Sequence, residues 1–234
     1  MLKLKVDTHI HTIFSGDSLI TVEDAIRLSK IKGLDCICIT DHDTVKAVEK
    51  LNRESLRNDV IIIPGIEVTT REGHLVGLGI TQPIKPKLSA AETAEKIREL
   101  GGLVVIPHPG HPFKHSLKLN KDILSEVKPD AVEALTIMQS LIKPNFNKLI
   151  KKFNVPLIAG SDSHIPQTLG STYSLIEVKE KSVEGILYAI RRGKTFPVVN
   201  LNLLLSFQFL VKLWFKFLNK VSFKETAPNI NIEE

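Results

Sequence analysis

Short apolar runs alternate with stretches of helical periodicity along most of this chain, and no other feature constrains its fold as much. Strand-like runs fall at 2–6, 35–40, 60–64 with a resumption at 66–69, 74–80, 103–106, 131–135, 157–159 and 174–178. Helical patterns lie between them at 22–32, 45–57, 89–100, 121–127, 145–153 and 183–192. Gly33 closes the first helix; Ser89 with Glu92 makes a capping box for the third, which Gly101 and Gly102 close. Repeated strand-then-helix units predict a mainly parallel sheet covered by helices. About seven such strands in one domain favour a closed or nearly closed barrel, with an open doubly wound sheet as the alternative. The 234 residues, 43% of them hydrophobic, suffice for one sizeable core but not for two full-sized domains.

The net charge of +5 and pI of about 9.1 give a mild bias toward anionic partners. The basic residues are spread along the chain, whereas electrostatic nucleic-acid binding calls for a denser basic stripe. Lys148, Lys151 and Lys152, and Arg191, Arg192 and Lys194, read as helix-end cations that favour the macrodipole. Cys36 and Cys38, two apart on a strand, point to one face and are poorly placed to pair, which suits a reducing cytoplasm. Residues 1–5 run straight into a strand with no leader pattern. No Walker-type phosphate loop, Gly-x-Ser-x-Gly elbow or zinc-finger spacing is present.

Histidines and acids cluster at the strand ends. Asp7, His9 and His11 end the first strand; Asp41, His42 and Asp43 follow the second; Glu67 closes the third and His74 opens the next. His108 follows 103–106, Glu133 lies in 131–135, and Asp162 and His164 follow 157–159. In barrels and parallel sheets the C-terminal strand ends collect at one face, so these residues converge in space. An isolated His-x-His pair is weak evidence, because a core histidine needs only one or two partners. Six of the eight histidines at strand ends are not explained that way. Imidazole with carboxylate suits Zn, Mn or Fe, and a carboxylate can bridge two ions. Two ions about 3.5–4 Å apart clamp the attacking and leaving oxygens of a displacement at phosphorus and need no Ser or Cys nucleophile.

Five segments, Asp7-Thr8-His9-Ile10-His11, Thr40-Asp41-His42-Asp43, Pro64-Gly65-Ile66-Glu67, Pro107-His108-Pro109-Gly110 and Gly160-Ser161-Asp162-Ser163-His164, resemble the PHP (polymerase and histidinol phosphatase) family in order and spacing. The resemblance covers about residues 4–197. It implies an α/β fold, a distorted seven-stranded, TIM-like β/α barrel, with two to three divalent ions (Mn, Zn or Fe). Carried over, His9 and His11 hold one ion with Glu67 and Asp162; Glu67 bridges to a second, completed by His74 and His108; Asp17, His42 and His164 hold a third. Asp7, Asp41 and Glu133 look like groups that orient the ligating imidazoles, and Asp41 is also a catalytic candidate. Two departures stand out. Residues 82–100 have room for one helix where similar small phosphatases carry a helical insertion, which implies a more open pocket. Where some relatives have Arg after His-Pro-Gly, this chain has His111, a candidate contact for substrate phosphate, while Lys114 and His115 read as a solvated loop.

Beyond the domain at 1–197, residues 201–218 are mostly apolar, interrupted by Lys212 and Lys216, and residues 221–234 read as a tail. A C-terminal helix at 198–220 is expected, packed on the barrel or on a second copy, or lying on a membrane surface; it is too short and interrupted for a good span. The expected function is hydrolysis of a small-molecule or nucleotide phosphomonoester by a metal-bound hydroxide. The alternatives are cleavage at the end of a short oligonucleotide and a non-catalytic scaffold, the latter predicting missing ligands.

Overall fold

The computed structural model describes residues 1–51, 60–110, 115–134 and 144–200. Its nine strands are β1 (Leu2–Ile10), β2 (Cys36–Ile39), β3 (Ile61–Thr69), β4 (His74–Leu78), β5 (Leu103–Ile106), β6 (Ala131–Glu133), β7 (Leu157–Ile158), β8 (Thr172–Val178) and β9 (Thr195–Val199). The helices are α1 (Val22–Ile31), α2 (Lys46–Glu49), α3 (Ala90–Glu99), α4 (Lys121–Val127), α5 (Pro144–Phe153) and α6 (Val183–Arg191). The expected C-terminal helix lies outside the described residues, as does most of the second half of the helix expected at 45–57.

All strands join one sheet in the order β7-β6-β5-β4-β3-β2-β1-β8-β9. Among the described residues the sheet thus holds nine strands rather than seven, and its pairing is mixed. β1–β2, β2–β3, β5–β6 and β6–β7 are parallel, whereas β3–β4, β4–β5, β1–β8 and β8–β9 are antiparallel. The short connection at 70–73 allows only a hairpin, since a parallel neighbour needs a crossover of a dozen or so residues. α3 shows the expected capping box, with Ser89 accepting from the Glu92 N–H and Glu92 reaching back to Ser89.

The sheet curls until its edges nearly meet. Thr195 of β9 donates to the Leu157 carbonyl of β7 at 2.7 Å. At the other end the segment after β7 lies against β1: Asp162 N–H bonds the His9 carbonyl at 2.8 Å and His11 N–H bonds the Ser163 carbonyl at 3.0 Å. Gly160 permits this approach, because a Cβ there would stand 2.6 Å from the His9 nitrogen.

The interior is layered. Leu4, Val6, Cys36, Cys38 and Ile63 pack inside with Ile186, Ala189 and Ile190 of α6, while Ile10, Ile37 and Ile39 pack outside against α1. Both cysteines are buried and free, as their spacing implied. Leu4 and Val6 face in, yet so do His9 and His11. A bulge reconciles the two phases: between Asp7↔Ile37 and Ile10↔Ile39, β1 advances three residues against two on β2.

Candidate metal centre

The strand ends deliver the site. β1 supplies His9 and His11, the loop beyond it Asp17, the segment after β2 His42, and β3 Glu67. β4 runs antiparallel, so its first residue, His74, lies at the same end, opposite Thr69. His108 follows β5, Glu133 ends β6, and Asp162 and His164 follow β7.

Glu67 is the hub. Its buried Oε1 lies 3.0 Å from both His74 Nδ1 and His108 Nε2, and its Oε2 lies 3.2 Å from His11 Nε2 and His42 Nδ1 and 3.4 Å from His9 Nε2. Asp162 Oδ1 is 3.2 Å from His11 Nε2 and 3.6 Å from His9 Nε2. Asp17 Oδ2 is 3.3 Å from His164 Nε2 and 3.5 Å from His42 Nε2. Asp17, His42, Glu67, His74, His108, His115, Asp162 and His164 line a cavity of about 220 Å³. His9 and His11 are fully buried and meet it through Glu67 and Asp162.

Opposite ring nitrogens are tied to the protein. His9 Nδ1 meets Glu133 Oε1 at 2.9 Å, His11 Nδ1 meets Ser15 Oγ at 2.9 Å, His108 Nδ1 meets Ser116 Oγ at 2.8 Å, and His164 Nδ1 meets the Asp162 carbonyl at 3.0 Å. These bonds fix ring orientation and leave each Nε2 for the cluster of ligating groups. The backbone is equally constrained. Asp43, His108 and Asp162 have φ of 52°, 27° and 51°, a region most side chains avoid. Each keeps it through a bonded N–H: Asp43 to the Glu67 carbonyl, His108 to Glu133 Oε2 and Asp162 to the His9 carbonyl.

The charges respond to one another. Burial opposes a charge on His9, but Glu133 and Glu67 outweigh it and lift the imidazole to about 10. Burial also opposes charge on Glu67, yet His9 and the other imidazoles hold it well below the ordinary carboxylate range. Burial pushes His42 down to about 4 and lowers His108.

A divalent cation fits this donor set. His9 Nε2 and His11 Nε2 face each other at 2.9 Å, and Glu67 Oε2, His42 Nδ1 and His74 Nδ1 are buried without a well-formed hydrogen bond. Such groups are costly when left to one another. Three overlapping groups have ligand atoms within 4.8 Å of one another: His9, His11 and Glu67; His42, Glu67 and His74; and His11, Asp17, His42 and His164. Compared with the division expected from the sequence, His11 also approaches the third set and His42 the second.

Of the expected supporting acids, Glu133 orients an imidazole directly. Asp41 is buried and accepts from Thr12 N–H at 2.6 Å, Thr12 Oγ1 at 2.7 Å and Ser15 Oγ at 2.8 Å. It acts on His11 through Ser15 and does not line the cavity. Asp7 accepts from Ser161 and Gly170 backbone N–H and is lifted by burial to about 6. His111 and Lys114 lie outside the described residues. His115 is exposed in a loop, as its sequence reading implied, and it also borders the cavity; its Nε2 bonds the Thr70 carbonyl at 3.1 Å. Sequence reasoning missed Ser15 and Ser116, because a serine in a loop carries no pattern that marks it as an imidazole partner.

The family model described as PHP domain matches residues 7–192. The chain belongs to the PHP family. Among relatives of this PHP protein, one of Methanocaldococcus jannaschii, itself uncharacterized, is 34% identical over 140 residues, which are 56% of this chain and 80% of that one. A Shewanella frigidimarina protein named "probable phosphatase" is 27% identical over 220 residues, covering 76% of this chain and 85% of the relative. Among solved structures, a two-domain Bacteroides vulgatus protein described as containing a "predicted PHP-like metal-dependent phosphoesterase" superposes with a TM-score of 0.71 at 20% identity, covering 85% of this chain and 65% of that one. The lesion-specific endonuclease Q of Pyrococcus furiosus superposes with a TM-score of 0.67 at 23% identity, covering 84% of this chain and 58% of that one. This chain therefore spans less than two thirds of those two solved chains.

Proposed function

We propose that this metal-dependent phosphoesterase cleaves phosphate monoesters of small molecules or nucleotides. The observation that carries the reading is the convergence of six imidazoles and three carboxylates into one cluster, most of which lines a cavity of about 220 Å³. That space suits a phosphoryl group and part of its leaving group. Bound divalent ions supply an activated water near neutral pH and neutralise charge at phosphorus. His9, His11, Glu67 and Asp162 would hold one ion, Glu67, His74 and His108 a second, and Asp17, His42 and His164 a third. Glu133, Ser15 and Ser116 hold the rings of His9, His11 and His108 in place. Asp41 holds Ser15 and Thr12. A scaffold without catalysis predicts gaps in this set, and all nine ligand positions carry a metal-binding residue type.

The test is phosphate release from an aryl phosphate by the Mn²⁺-loaded protein. His9→Ala and Asp162→Ala should each abolish it; activity unchanged in either variant sinks the reading. A panel of nucleotide bisphosphates, histidinol phosphate and short oligonucleotides separates a monoesterase from an enzyme acting on oligonucleotide ends.

A further inference from the structure

Of the eight described residues that line the metal cavity, seven belong to the ligand set and His115 does not. None of the three groups of converging ligand atoms includes it. It is exposed where His9, His11 and His108 are buried, which places it at the rim of the cavity rather than its floor.

An exposed side chain in a loop ordinarily moves between rotamers. This one is held at two points. The His115 carbonyl accepts from the N–H of His74, itself a ligand position, at 2.9 Å. The His115 ring donates from Nε2 to the Thr70 carbonyl at 3.1 Å. Thr70 and His74 flank the turn between β3 and β4, and Thr70 is buried. The loop is also closed behind His115, where Gly110 N–H bonds the carbonyl of the fully buried Leu117 at 3.0 Å. The ring therefore keeps a set place, 5.2 Å from the ring of His74 and tilted by 51° to it.

The bond to Thr70 also sets the tautomer. A carbonyl oxygen only accepts, so Nε2 carries the hydrogen, and the neutral ring is left with Nδ1 as an acceptor. That nitrogen has no partner among the described residues. A phosphoryl oxygen, which itself accepts, gains nothing from it. A hydroxyl group gains a hydrogen bond. With the phosphoryl group drawn to the ligand cluster, the part of an ester that reaches the rim is its leaving group.

We propose that His115 is a specificity residue, whose Nδ1 accepts a hydrogen bond from a hydroxyl of the leaving group. The site then favours phosphate esters of polyols over esters of simple alcohols. The proposal rests on the phosphomonoester reading of the same site. The competing role for His115 is a staple alone, one that holds His74 through its carbonyl and leaves substrate untouched.

The test compares glycerol 3-phosphate with propyl phosphate, which differs only in lacking the free hydroxyls, on the full-length Mn²⁺-loaded protein. A kcat/KM ratio of roughly 3–10 in favour of glycerol phosphate is expected, the effect of one hydrogen bond. His115→Ala should bring that ratio close to one. His115→Asn keeps an acceptor oxygen near the place of Nδ1 and should restore part of it. Calorimetric titration with dihydroxybutylphosphonate and butylphosphonate, which have the same shapes and do not turn over, should give the same ratios as binding constants. Metal content of each variant reads the staple to His74 separately. Equal use of the two esters by the wild type, a preference that survives His115→Ala, or an unchanged ratio with a fall in metal content overturns the proposal. If the wild type cleaves neither ester, the monoester reading fails, and the phosphonate titrations still decide whether His115 recognises a hydroxyl.

Discussion

Glu133→Gln isolates the contribution of a residue that touches no cavity yet holds two parts of the centre. Glu133 is 1% exposed, accepts from His9 Nδ1 at 2.9 Å through Oε1 and accepts from His108 N–H at 2.9 Å through Oε2. A carboxylate accepts at both oxygens, whereas an amide of the same shape accepts at one end and donates at the other. If the amide oxygen serves His9, the NH₂ faces the His108 N–H. If it serves His108, the NH₂ faces His9 Nδ1, which must then give up its proton to Nε2 and lose Nε2 as a ligand. In the first arrangement a buried donor is left unpaired, at a cost of about 1–3 kcal/mol; in the second both bonds are kept and the cost falls on the ligating nitrogen instead. Breaking a buried ion pair outright costs about 3–5 kcal/mol, but His9 can shed its proton once Glu133 no longer supports it, so the smaller figure applies. Lost support of an imidazole ligand further predicts about 10–100-fold weaker metal binding. The assay is Mn²⁺ titration by calorimetry with metal content after dialysis, alongside thermal melts of the ion-free and loaded protein. Wild-type affinity and melting temperature in the variant would refute the reasoning that Glu133 positions His9 and His108.

Three further outcomes follow from the same geometry. In the ion-free protein His9 is raised from 6.5 to about 10, so its contribution is fully present below pH 6.5 and fades as pH rises through 10. Melting temperature in chelator should therefore fall over that window, and loading with Mn²⁺ should flatten the slope and release protons to a weakly buffered solution; a flat ion-free profile counts against the assignment. Gly160→Ala puts a Cβ 2.5 Å from His9 Cβ and 2.6 Å from its nitrogen, so a loss of at least about 1–3 kcal/mol and of metal retention is expected in melts and metal analysis. Ser116→Ala removes the partner of His108 Nδ1 and should weaken metal binding about tenfold while leaving the circular dichroism spectrum intact.

Much of this is legible in the sequence. Helix α4 falls on 121–127 as its periodicity implied, and the Ser89 and Glu92 cap has its own local chemistry. The ligand types at strand ends were readable because a parallel arrangement gathers those ends at one face. Strand direction was not: alternation says which residues share a face and nothing about which way the neighbour runs, so antiparallel β4, β8 and β9 were hidden. β9 also carries Pro197, which weakens any strand reading; it is tolerated beside β8 on an outer strand of the sheet. That the loop of His115 also borders the cavity was not legible, because its position depends on a bond from His74 N–H to the His115 carbonyl, a contact between segments far apart in the chain.

The bulge in β1 explains why a buried acid with no imidazole partner sits at the centre of the fold. A regular strand that turns Leu4 and Val6 inward would also turn Thr8 and Ile10 inward and send His9 and His11 toward α1. One extra residue between Asp7 and Ile10 reverses the phase, so that a single interior is apolar below and ligating above. That kink leaves β1 in need of new partners, and the segment after β7 provides them at His9 and His11. Asp7 joins the two, its carboxylate accepting from Ser161 N–H at 2.8 Å, Ser161 Oγ at 2.6 Å and Gly170 N–H at 2.9 Å. Burial lifts Asp7 to about 6 against these bonds, a cost that makes sense only if the closure it secures is worth more. Asp7 therefore belongs to the architecture that brings Asp162 to His9 and His11, one step removed from the cluster itself.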